Sequence, residues 1–245
     1  MGMTALGFLY PGHSAEDDYP RIEQLLGSDI RVDVVHTDIG EDAHRVDALR
    51  EMGAPERLAA GCEALRLSGA EAVVWACTSG SFVHGYEGAH DQIRTLAHTA
   101  GMPASSTSFA FVHAAREVGA RKVAVAATYP EDVARLFADF LAAADLEVVA
   151  LRSAGIVTAA EVATWGIHDI LTIAHAADHK DADALLLPDT ALHTASHIPT
   201  LEKELSKPVL TANQVSVWEA LRLTDRRVNA PELGSLFTRE PIVQV

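Results

Sequence analysis

The sequence predicts an α/β protein built as two pseudo-symmetric half-domains, each a mainly parallel sheet with helices on both faces, with a ligand cleft between them. Three observations carry that reading. Short β-rich runs alternate with stretches of helical spacing, the runs are continuously apolar as in strands covered on both faces, and segments of the first part of the chain recur in the second.

In chain order the runs are ALGFLY at 5–10, RVDVVHT at 31–37, AEAVVWA at 70–76, KVAVAAT at 122–128, LEVVALR at 146–152, DALLLP at 183–188 and KPVLTA at 207–212. Helical spacing fills the gaps, as in ERLAAGCEALRLSGA around Cys62. The recurrence is closest between AEAVVWACTS from Ala70 and ADALLLPDTA from Ala182, which sets Cys77 on Asp189. Tyr10-Pro11 matches Tyr129-Pro130, and the segment from Met102 matches more loosely the one from Lys207. The halves are accordingly drawn at 1–105 and 106–225, with 226–245 a tail returning to the first half. Equivalent strand ends then face each other across a cleft, where open α/β sheets hold ligands.

A chain of 245 residues, 49% hydrophobic, can bury a substantial core. Its formal charge of −15 argues against nucleic acid, which needs clustered Lys and Arg. A small anion remains compatible, because salt screens the global field within roughly 10 Å. Two cysteines form no disulfide framework and both are expected to be reduced. No secretory leader and no apolar stretch of roughly 18 residues is recognisable, so a cytoplasmic protein without a membrane span is expected. Apolar helix faces leave room for a homo-oligomer.

The segment WACTSGSFVHG at 75–85 carries the first candidate site. At a strand end running into a helix, Thr78, Ser79 and Gly80 offer backbone N–H groups and hydroxyls to a carboxylate. A thiol at that lip is acidified, which makes Cys77 a candidate thiolate, although cysteine is also a common buried residue. In the second half, PDTALHTASH offers the amides of Thr190, Ala191 and Leu192 at the start of a helix, with Asp189 in the place of Cys77. Asp189 also suits an N-cap. Two proton-transfer groups facing one cleft suit chemistry at a carbon α to a carboxylate, one group for each face. Beside an anionic substrate one of the pair should hold a proton, and Asp189 is assigned that role as acid.

Tyr129 is a candidate carboxylate donor, with Tyr10 as its counterpart on a loop able to close over the cleft. Asn213 reads as a cap, opposite Ser108. His193 and His197 have i, i+4 spacing, but the zincin pattern needs Glu after the first histidine and Thr194 stands there, so no metal is expected. His84 lies close to the site in sequence; the remaining histidines read as structural or solvated.

ACTSGSF followed by HG, ATYPEDV and PDTALHT together resemble the aspartate/glutamate racemase superfamily, in its branch of maleate cis-trans isomerases and arylmalonate decarboxylases. The resemblance runs over essentially the whole chain and is most specific at CTSGSF and TYPEDV. It implies two pseudo-symmetric α/β halves, no metal or organic cofactor and a small carboxylate substrate. It also implies that Cys77 is the first-half catalytic cysteine, that Thr78, Ser79 and Tyr129 bind carboxylate, and that Pro11 begins an active-site loop. Where the family pattern has a second-half cysteine this chain has Asp189. Arylmalonate decarboxylases keep that cysteine and carry glycine in the first half, the opposite arrangement. The retained thiol favours a maleate-isomerase-like reaction with Cys77 as nucleophile; a decarboxylase, a racemase and a non-catalytic carboxylate receptor are the alternatives.

Overall fold

The computed structural model describes residues 2–238. Taken sheet by sheet, the first half runs β1 (Thr4–Pro11), α1 (Asp18–Leu26), β2 (Ile30–Thr37), α2 (Val46–Met52), α3 (Pro55–Ser68), β3 (Ala72–Trp75), α4 (Ser79–Phe82), α5 (Gly85–Ala100), β4 (Ala104–Ser106) and α6 (Thr107–Glu117), α6 being grouped with the strand it follows although it lies past residue 105, where the sequence expectation divides the chain. The second runs β5 (Lys122–Ala127), α7 (Glu131–Ala143), β6 (Glu147–Ser153), α8 (Ala159–Val162), α9 (Ile167–Ala177), β7 (Ala184–Leu187), α10 (Ile198–Leu205), β8 (Val209–Thr211) and α11 (Ala212–Leu223).

All strand pairs are parallel, and the two four-stranded sheets share one order, β2-β1-β3-β4 and β6-β5-β7-β8. The predicted fold class is therefore the observed one. In each sheet the chain leaves the first strand toward one edge and returns on its other side, so the order reverses between β1 and β3 and between β5 and β7. Ligands bind beyond the carboxyl ends of strands at such reversals. Pro11 ends β1 and Cys77 follows β3; Tyr129 follows β5 and Asp189 follows β7.

Register sharpens the repeat. Ala72 pairs with Leu6 and Ala184 with Val123, so Ala127 is the rung equivalent to Tyr10, and Tyr129 falls two residues further along, opposite Gly12. Tyr10 and Tyr129 share a sequence motif and not a position. The looser match does hold, since Val73 pairs with Ala104 as Leu185 pairs with Val209. The strand β4 is absent from the apolar runs because it is three residues long and two of them are serine.

One core runs through both halves, with Leu6 and Val74 of the first sheet and Val125 and Leu186 of the second in a single buried cluster. A separate cluster, including Leu185, Leu187, Ile170 and Leu201, fills the other face of the second sheet. The halves meet where α6 lies on α11: Thr107 Oγ1 is 2.6 Å from Ser216 Oγ, and His113 Nδ1 is 3.0 Å from Glu219 Oε1. Beyond α11, Arg226 donates to Thr4 Oγ1 at 2.9 Å and to Asp29, while Gln214 Nε2 donates to the Leu233 carbonyl at 2.6 Å. Residues 239–245 of the expected tail lie outside the described residues. Among the described residues, no helix is long and apolar enough to cross a membrane.

Candidate active site

The strand ends at the two reversals meet around one cavity. Its lining includes Pro11, Ser14, Cys77 and Ser79 from the first half and Asp189, Thr190 and Ala191 from the second. Pro11, Cys77, Ser79, Asp189, Thr190 and Ala191, all site candidates from the sequence, thus converge. Thr78 and Tyr129 are turned away: Thr78 Oγ1 and Tyr129 Oη both donate to the Pro188 carbonyl, at 2.5 and 3.0 Å. The Thr78 bond ties the first half to the second directly beneath Asp189, and the Tyr129 bond joins the ends of β5 and β7 within the second.

Cys77 is almost fully buried, with the Gly80 N–H donating to Sγ at 3.2 Å and Ser79 Oγ 3.8 Å away. A Cβ on Gly80 would come within 3.1 Å of Sγ and 3.2 Å of the Trp75 ring, so only glycine lets the turn close on the sulfur. Burial pushes the thiol up to about 12, the Gly80 and Ser79 hydrogen bonds recovering only part of the shift, and nearby Asp189 adds to it. The expected acidification is therefore reversed. The helix opened by this turn, α4, has only four residues and no cation stands by, so desolvation of the thiolate outweighs the backbone amides.

Asp189 accepts at both oxygens, from Thr128 Oγ1 at Oδ2 and from the Ala191 N–H at Oδ1, 2.9 Å. It caps no helix: the chain from Thr190 to His197 is a series of turns, and α10 begins only at Ile198, with Pro199 in its first turn. Buried Asp18 at the start of α1 draws this segment off the helical path by accepting from the Thr194 and Ala195 N–H groups, at 2.9 and 3.2 Å, and from Asn213 Nδ2 at 3.1 Å. His193 and His197 consequently share no helical face; His193 pairs instead with Asp17 at 3.0 Å. Asn213 is no N-cap either. Thr211 caps α11, while the Asn213 amide also reaches the Thr190 carbonyl at 3.2 Å. Nor is Tyr10 poised to close: its hydroxyl donates to the Thr190 carbonyl at 2.8 Å and accepts the Ala15 N–H at 3.0 Å.

The segment 38–45 after β2 lines a further side of the cavity, and no motif in the sequence marks it. Asp42 accepts the Ala159 and Ala160 N–H groups of α8 at 2.7 and 3.0 Å. His44 donates its backbone N–H to Val157 at 2.7 Å and Nδ1–H to Ile156 at 2.8 Å, its ring set edge-on against Tyr129. Ile39, Leu49, Met52 and Ala159 form an apolar wall facing Cys77. The cavity is partly open to solvent, and its free space of about 30 Å³ has room for two or three water molecules.

A family model described as arylmalonate decarboxylase matches residues 50–237. The chain belongs to the arylmalonate decarboxylase family. An arylmalonate decarboxylase from Bordetella bronchiseptica is 34% identical over 179 residues, covering 71% of this chain and 73% of that one. A maleate isomerase from Geobacillus stearothermophilus is 27% identical over 139 residues, 56% of this chain and 55% of its own. In fold, the maleate cis-trans isomerase of Nocardia farcinica, solved with a covalently bound succinylcysteine intermediate, superposes with a TM-score of 0.89 at 20% identity, covering 98% of this chain and all of that one. Membership in the arylmalonate decarboxylase family meets the expectation of an isomerase or lyase.

Proposed function

We propose that the chain decarboxylates a small malonate-type dicarboxylate bearing an apolar substituent, with Cys77 delivering the proton that replaces the lost carboxyl group. The observation that carries this reading is a cavity between the two sheets in which a buried thiol that keeps its proton shares the lining with Ile39, Leu49, Met52 and Ala159. Cleavage of the bond to one carboxyl group releases CO2 and leaves the electron pair on the α-carbon, delocalised into the remaining carboxylate. The Cys77 S–H then protonates that carbon, and solvent reprotonates the sulfur. The departing carboxylate is poorly solvated against Ile39, Leu49, Met52 and Ala159, and Asp189, which accepts at both oxygens, repels it until it leaves as a neutral molecule. The Ser79 and Thr190 hydroxyls, on the polar side, receive the carboxylate that stays. The roles expected from sequence thus change places: the proton belongs to Cys77. The isomerase alternative needs Cys77 as an attacking thiolate, and burial opposes its ionisation.

Incubation with aryl- and alkylmalonates and with maleate, in D2O, tests the proposal. CO2 release with one deuterium gained at the α-carbon, abolished by Cys77→Ala, is expected. Conversion of maleate to fumarate without CO2 would establish the isomerase instead, and thermal stabilisation by these acids without turnover would establish a receptor.

A further inference from the structure

Outside the cleft, the loop between β1 and α1 and the end of β2 bring His13, Glu16 and His36 together on the surface. The register of β1 and β2 sets His36 beside Tyr10, one turn of chain from that loop. The His13 and His36 rings stack with centroids 3.9 Å apart, and His13 Nδ1 lies 3.0 Å from Glu16 Oε1. One donor atom from each of the three residues falls within 4.8 Å of the others.

From this placement we propose that His13, Glu16 and His36 bind a transition-metal dication of the Zn²⁺ class at the rim of the cleft. Two imidazoles and one carboxylate, with the remaining positions left to water, form a donor set Zn²⁺ accepts, at metal–ligand distances of about 2.0–2.2 Å and donor separations of about 3.3 Å. The donor atoms, now within 4.8 Å of one another, must draw together to reach that value, and the His13 side chain, 72% exposed, has room to turn.

Two details prepare the ligands. His36 Nδ1 lies 2.7 Å from the Gly12 carbonyl and must carry its hydrogen there, which leaves Nε2 as a bare lone pair and fixes the ring, the outer arrangement that metal-bound histidines show. The Ser14 N–H donates to Glu16 Oε2 at 2.7 Å, holding that carboxylate toward His13. Burial raises Glu16, but hydrogen bonds from the loop backbone and His13 outweigh it and keep the group below the ordinary carboxylate value.

The site is distinct from the chemistry of the cleft and coupled to it by the loop. Ser14 lines the cavity and its Oγ lies 2.7 Å from Tyr10 Oη, so a metal holding both ends of 13–16 restrains a cavity wall. Its test is binding and does not depend on the substrate. Metal-free protein titrated with Zn²⁺ and, for a spectroscopic signature, Co²⁺ should take up one equivalent, with a rise in Tm that tracks metal concentration. His36→Ala and Glu16→Gln should each weaken binding roughly 10–100-fold and remove the Tm rise, while His175→Ala, remote from the loop, should change neither. Both variants alter surface groups, and a circular dichroism melt without metal confirms that they fold. No stoichiometric uptake, or equal affinity in His36→Ala, overturns the proposal.

Discussion

Cys77 has a reactive side chain only in proportion to how its surroundings treat its proton. With its folded value at about 12 and the ordinary value at 9.0, the native protein binds that proton more tightly than the unfolded chain. The stability this brings is complete below pH 9 and is lost as pH rises toward 12. Between pH 9 and 10, before the buried tyrosines contribute, unfolding free energy should fall by at most about 1.4 kcal/mol, and Cys77→Ser should flatten that slope. Urea melts at half-unit pH steps measure it; parallel slopes for the two proteins would show that folding leaves the affinity of the thiol for its proton unchanged. The sequence revealed Cys77 and Asp189 as a pair because a strand-end repeat places them so. It could not reveal Thr128, Asp18 or His44, whose parts depend on contacts with residues far along the chain. The sign of the Cys77 shift was hidden for the same reason, since the length of α4 and the packing over the turn decide it.

The segment from β2 to α2 crosses from the first half to the second, and only a few polar contacts hold it there. Asp42 supplies two of them, to the Ala159 and Ala160 N–H groups in the first turn of α8. The free space, about 30 Å³, is small for a dicarboxylate, and outward movement of this segment would widen it for substrate. Asp42→Ala removes two hydrogen bonds to the first turn of α8, each worth about 0.5–1.5 kcal/mol, and should favour release of the segment. The expected result is a raised KM with faster hydrogen exchange in 38–45, read by steady-state kinetics and mass spectrometry; unchanged exchange would show that other contacts hold the segment. Strand content was well marked in sequence because buried parallel strands are apolar runs. The turns from Thr190 to His197 were not, since ALHTASH has ordinary helical composition and only Asp18, from another element, diverts it. The Tyr-Pro match misled for a related reason, as the motif fixes a helix entry and not a rung of the sheet.

A two-sided site holds its geometry only while the halves stay docked, and docking rests on α6 against α11. Within that contact Glu219 is fully buried, accepting from Arg222 Nε at 2.8 Å and Nη2 at 2.9 Å and from His113 Nδ1 at 3.0 Å. Burial alone would raise this carboxyl; the Arg222 and His113 hydrogen bonds and charges overcome it and bring the group down to about 2, against an ordinary 4.5. A depressed folded value contributes stability that is complete above pH 4.5 and lost as pH falls toward 2. The part specific to Glu219 is on the order of 2–3 kcal/mol, below the full shift because the Arg222 and His113 side chains are partly exposed. Glu219→Gln keeps the shape of the side chain and removes its charge. The variant should be less stable than the parent at pH 7, and the two should converge as pH falls from 4.5 to about 2.5, in denaturant melts followed by circular dichroism. Because Glu219 joins α6 to α11 and touches nothing in the cleft, its loss should lower the denaturation midpoint while leaving the pH profile of turnover in place; a displaced profile would mean that docking of the halves sets the protonation of Cys77 as well as its position.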